Sequence, residues 1–137
     1  MWILYAVLSA FFASLTAIFA KIGVKDVNSN LATAIRTIVV LVLIWGIVFF
    51  RGEQEGLAFI SKKNILFLII SGVMTGLSWI FYFKALSEGP LSVIAPIDKL
   101  SVALTIVLAY IFLNEPVTVK AVIGSIMIIG GIVVLML

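Results

Sequence analysis

"WILYAVLSAFFASLTAIFA", residues 2–20, runs to its end without a charged side chain and stops at Lys21. A helix crossing the hydrocarbon of a bilayer needs about 20 mainly apolar residues. The stretch therefore reads as a membrane span. Four more runs of the same kind follow it. Leu31 to Phe50 contains one charge, Arg36, and Ile65 to Phe83 is closed by Lys84. Leu91 to Leu113 contains Asp98 and Lys99, and Val117 to Leu137 carries Lys120 close enough to its start to snorkel. The expected fold is all-α and integral to the membrane. It is one domain over residues 1–137, with helices about 2–20, 31–50, 65–84, 91–113 and 117–137.

Composition leads to the same place. The chain is 64% hydrophobic and 11% charged, against about 45–50% and 25% for a soluble domain. No single aqueous core absorbs that much apolar surface, so lipid is the solvent for most of it. The first run lacks the charged leader and small-residue cleavage site of a secretory signal and is expected to stay as a span. With no Cys and no His, neither a nucleophile–base pair nor a metal set can be assembled, so no enzyme, metal or cofactor is expected. The net charge of +3 comes without a basic run or interleaved aromatics, which excludes nucleic acid as a partner.

Between the spans lie short polar segments. "KIGVKDVNSN" (21–30) offers Asn28, Ser29 and Asn30 as helix N-caps. "RGEQEGLAFISKKN" (51–64) is the longest loop and is expected to run partly along the interface. "SEGP" (87–90) and "NEP" (114–116) are tight turns whose prolines suit the first turn of the following helix. Five spans put the termini on opposite sides. Arg51, Lys62, Lys63 and Lys120 fall on the N-terminal side, and Lys21, Lys25 and Lys84 on the other. Four against three is close to a tie under the positive-inside rule, which is the pattern of a dual-topology protein.

Arg36 and Asp98 lie roughly 8–10 Å inside the ends of their helices, and Lys21 and Lys84 mark the same side. The intramembrane charges thus gather in one half of the bilayer. Each costs at least ~2.5 kcal/mol on insertion scales and needs a partner or a wet cavity. On a continuous helix Asp98 and Lys99 point about 100° apart, so Asp98 is expected to turn to Arg36 or Lys84. The plainer alternatives are snorkelling for Arg36 and Lys84 and a structural salt bridge for Asp98. Hydroxyls recur at helical spacing: Ser71, Thr75, Ser78 and Tyr82, with Trp79 at their border, then Asp98, Ser101 and Thr105. They read as cavity walls, or else as groups bonding their own helix backbone. Pro96 removes an N–H inside the fourth span and loosens the helix beside Asp98.

"IFYFKALSEGPLSVIAPIDKLSVALTIVLAYIFLNEPVTVKAVIGSIMIIGGIVVLML" and "AKIGVKDV" resemble the EamA domain of the drug/metabolite transporter superfamily. The likeness covers essentially the whole chain and is greatest to short members with one five-helix repeat. It implies a multi-pass transporter of a bacterial or archaeal inner membrane. Most EamA proteins resemble two such repeats fused and inverted, so one repeat implies a homodimer, antiparallel by similarity to the small multidrug resistance proteins. Those carry a glycine pair at the dimer seam, and Gly124 and Gly131, seven residues apart, match it, with Ala121 and Ser125 continuing the surface. The membrane-embedded glutamate of their first helix has no counterpart in residues 2–20.

The expected substrate is a small anionic or zwitterionic, amino-acid-like metabolite, because Arg36, Lys84 and Lys99 outnumber Asp98. Thr75, Trp79, Tyr82 and Ser101 complete the expected binding set, the two aromatics supplying an apolar or cation–π surface. Apart from substrate and a second copy, lipid is the only partner expected. The competing readings are a proton-coupled exporter of cationic or drug-like compounds using Asp98, and a non-transporting scaffold subunit.

Overall fold

A computed structural model describes residues 1–137, and it is all helix. The helices are α1 (Trp2–Gly23), α2 (Ser29–Arg51), α3 (Lys62–Glu88), α4 (Leu91–Asp98), α5 (Leu100–Leu113) and α6 (Val119–Met136), with a 3-10 segment Glu53–Phe59 between α2 and α3. Five stretches are long and apolar enough to cross a membrane, α4 and α5 together forming the fourth, Leu91–Leu113. Most large apolar side chains, from Trp2 and Phe12 to Ile126 and Val134, are exposed on the protomer. In water that surface would be prohibitive, whereas lipid covers it at no cost.

Local chemistry explains where the helices begin and end. Asn28 caps α2, its side-chain oxygen accepting from the backbone N–H groups of Asn30 and Leu31. Ser61 does the same for α3 through the N–H of Asn64 at 3.1 Å, which is why that helix starts before the apolar run. Gly52, at φ 71°, closes α2 in the left-handed region, where glycine alone carries no Cβ penalty. Asn114, at φ 53°, ends α5 in the same way, and the N–H of Glu115 returns to the carbonyl of Ala109. Pro116, expected at a helix start, lies instead in extended chain. α6 begins at Val119 because Thr118, not Pro116, supplies the capping oxygen, to the N–H of Ala121.

The fourth span, expected to be loosened beside Asp98, is interrupted at Lys99. Pro96 has no N–H to give the carbonyl of Ser92. Lys99 stands outside both helices at φ −73°, ψ −5°, and its N–H bonds the carbonyl of Pro96, one residue short of α-helical spacing. The N–H of Val102 does the same to Lys99. A single residue therefore joins two rods.

The chain divides into two compact units. One is Phe19–Ser87; the other comprises Met1–Ile18 and Glu88–Leu137. In the first, Val24, Thr33, Phe83 and Leu86 are buried, and the 3-10 segment packs on α2. In the second, α6 packs against α4 and α5. Its covered stripe, Ala121, Gly124, Ser125, Ile128 and Ile132, follows helical spacing, with Ile132 buried.

Candidate functional site

Within the unit Phe19–Ser87, the end of α1, the start of α2 and the end of α3 meet. Arg36 lies seven residues into α2, about 10 Å along the helix, and is half-buried. Its guanidinium carbon sits 4.1 Å from the centre of the Trp79 ring and 5.5 Å from that of Phe83. Tyr82 meets Phe83 edge-on at 6.4 Å. Trp79 and Phe83 are four residues apart, so α3 presents both to the same neighbour. The cation is held by aromatic faces, and no carboxylate forms an ion pair with it. A guanidinium stacked in this way keeps the N–H groups of its edge available.

Lys21, at the end of α1, donates from Nζ to the backbone carbonyl of Leu86. That carbonyl lies in the last turn of α3, where a cation complements the helix dipole. Beside this contact is a shallow concavity of about 700 Å³ lined by Lys21, Lys25, Asp26 and Ser87 against Val24 and Leu86. Lys84 is exposed on the same turn of α3, and its carbonyl accepts from the Ser87 hydroxyl at 2.7 Å. Asp26, and Glu88 at the last position of α3 one turn beyond Lys84, are the acids near this end, against Lys21, Lys25, Arg36 and Lys84.

The packed face of α3 differs from the expected one. Ser71, Thr75 and Ser78 are exposed, and Thr75 gives its hydroxyl back to the Ser71 carbonyl at 2.9 Å. The covered side is aromatic: Trp79, Tyr82 and Phe83. Phe83 was not among the expected site residues. Its position at i+4 from Trp79 is the signal that marks it, and a search for polar groups passes over it. Trp79 was expected to offer its face to a substrate; Arg36 occupies that face instead.

In the other unit, Asp98 and Lys99 form an ion pair at 3.1 Å between Oδ2 and Nζ, with side chains 39% and 56% exposed. Adjacent residues on a continuous helix are poor partners, and that reasoning failed here because the helix stops between them. The break lets both side chains leave the same corner, so the expected turn of Asp98 toward Arg36 or Lys84 is not needed to neutralise it. Ser101 donates to the carbonyl of Asp98 at 2.7 Å, closing the first turn of α5. Its hydroxyl serves the backbone, as Thr75 does.

Along α6, Ser125 donates to the Ala121 carbonyl. A Cβ built on Gly124 or Gly131 meets nothing within 4 Å. Gly124 lies on the covered stripe, and Gly131 is exposed at its edge.

Three comparisons place the chain. It matches the EamA-like transporter family over residues 1–137. It is 42% identical over 134 residues to a protein of Sinorhizobium sp described as an "uncharacterized transporter in cobO 3'region", covering 98% of this chain and 95% of that one. It is 29% identical over 133 residues to an uncharacterized protein of Methanocaldococcus jannaschii, covering 97% and 94%. No solved structure matches the chain. The five spans, the family match across the whole chain and the likeness to a bacterial transporter agree: this multi-pass membrane protein belongs to the EamA-like transporter family.

Proposed function

We propose that the protein carries a small anionic or zwitterionic metabolite across the membrane of a bacterial or archaeal cell, and that Arg36 binds the substrate's carboxylate. The observation behind this reading is the Arg36 guanidinium resting on Trp79 with no acid paired to it. Arginine matches a carboxylate edge with two parallel N–H bonds, and stacking fixes its plane beforehand. A cation placed some 10 Å inside a span is costly, and such residues mark transport pathways more often than structural posts. Lys21, Lys25 and Lys84 at the same end raise the local concentration of anions. An amino acid or a related carboxylate fits this balance.

The working unit is an antiparallel homodimer. Two observations favour it. Both relatives are matched over nearly their whole length, so each of them consists of a single five-span repeat. The Asp98–Lys99 pair sits about 10 Å into the fourth span and is largely uncovered on the protomer. Acyl chains cannot solvate it, so a second copy or a water-filled path must. Antiparallel pairing puts the two charged ends in opposite halves of the bilayer, the arrangement that inverted repeats provide in larger transporters. Exposed Gly131, with the space left beside Gly124, offers the close seam on α6. Proton coupling through Asp98 is the weaker reading, since that carboxylate is already engaged by Lys99 at 3.1 Å.

The test is a thermal-shift screen of the purified protein against carboxylates, each paired with its neutral amide. Stabilisation by a carboxylate and not its amide, lost in Arg36→Gln, is the expected result. Stabilisation by amines or lipophilic cations alone would reverse the substrate class. A scaffold subunit would respond to none of them.

A further inference from the structure

We infer that the connection between α2 and α3 holds one anionic phospholipid, acyl chain in an apolar groove and phosphate against Lys62 and Lys63. The groove is about 390 Å³, formed by Trp45 and Val48 of α2 with Glu53, Gly56 and Leu57 of the 3-10 segment and Ile60 just after it. Trp45 is six residues before the end of α2 at Arg51, so the groove reaches about 9 Å below the helix end. That is the depth of the first methylenes of a lipid tail. Phe50 and Phe59, 94% and 89% exposed, flank the 3-10 segment. Aromatic rings with no protein neighbour at a helix end belong to the boundary between headgroups and tails.

The rim selects the headgroup. Arg51 and Glu53 neutralise each other at 3.4 Å. Lys62 and Lys63, two residues beyond Ile60, are exposed and enter no ion pair. They favour a phosphate. Phosphatidylglycerol carries that phosphate with a net negative charge, whereas phosphatidylcholine is neutral overall.

Native mass spectrometry of the detergent-purified protein with added dioleoyl phosphatidylglycerol, dioleoyl phosphatidylcholine or oleate tests this. The expected result is one phosphatidylglycerol retained per protomer, with weaker retention of the other two. Gly56 has open space where a side chain would go, so Gly56→Leu fills the groove without strain and should weaken retention about tenfold, while Gly56→Ala leaves it nearly unchanged. Lys62→Gln with Lys63→Gln should erase the preference for phosphatidylglycerol over phosphatidylcholine. A phosphatidylglycerol with a photoreactive tail should label the wild-type chain between Trp45 and Ile60, which checks the site even if a variant fails to fold. Labelling elsewhere, retention unaffected by Gly56→Leu, equal retention of all three probes, or loss of the dimer in that variant would overturn the inference. The last outcome would assign the groove to a protomer contact.

Discussion

Arg36→Met offers the sharpest test of whether the buried arginine is there to act or to hold the fold. Methionine keeps an unbranched apolar stem and removes the guanidinium with its charge. A cation at the centre of a span costs at least ~2.5 kcal/mol, and Arg36, about 10 Å from the helix end, sits short of the centre, so about 2 kcal/mol applies. The stack on Trp79 at 4.1 Å returns about 1 kcal/mol for a half-buried pair. The difference predicts that Arg36→Met stabilises the protomer by about 1 kcal/mol, roughly fivefold in the unfolding equilibrium, while abolishing stabilisation by carboxylates. Reversible unfolding in mixed detergent micelles reads the first quantity and a thermal shift with ligand reads the second. A double-mutant cycle with Trp79→Leu isolates the stack, which should appear as about 1 kcal/mol of coupling. If Arg36→Met is destabilising and carboxylate binding survives, the arginine is a structural post and the proposed binding role is wrong.

Asp98→Asn should impair transport more than Lys99→Gln, because it leaves Lys99 as an uncompensated cation inside a span, a change worth several kcal/mol; transport by Asp98→Asn at the wild-type rate would remove the charge pair from the mechanism. Replacing both Gly124 and Gly131 with leucine should abolish the dimer, seen by crosslinking, and leave helicity by circular dichroism unchanged; a dimer that persists rules out this seam. Two lysines added to one side of the membrane should fix a single orientation and inactivate the protein, with activity restored on mixing with the oppositely biased variant. Accessibility labelling that finds all wild-type chains in one orientation would refute that. Asn28→Ala should cost about 1 kcal/mol through the lost cap on α2, measured by the same unfolding assay.

The spans were legible because their signal is collective: each rests on some twenty residues, and no single residue decides it. Helix ends were read less well, since they depend on one side chain each. Thr118 moved the start of α6 past Pro116, and Ser61 moved the start of α3 back to Lys62. Pro96 marked a weak point in the fourth span, but not that the chain would leave the helix three residues later, at Lys99. That shift turned two residues judged unable to meet into an ion pair. At the site, charge was easy to find in so apolar a sequence, and Arg36 stood out. Trp79 stood in the expected binding set, but Phe83 did not, because it looks like an ordinary lipid-facing aromatic until α2 and α3 are placed together. The 3-10 segment was invisible for a related reason: seven residues bearing two glutamates carry no period long enough to announce a helix.

Lys99 turns the fourth span into a lever. α5, with fourteen residues, is an arm about 21 Å long. A change of only 10° at the single joining residue would carry its far end sideways by nearly 4 Å. α4, eight residues long, stays short on the other side of the fulcrum. Because α6 lies against both pieces, it splints the joint, and each angle of the arm demands its own fit of side chains along that splint. The ion pair sits at the joint itself, so any bend there would move a charge that is costly to carry through lipid less than any other part of the arm.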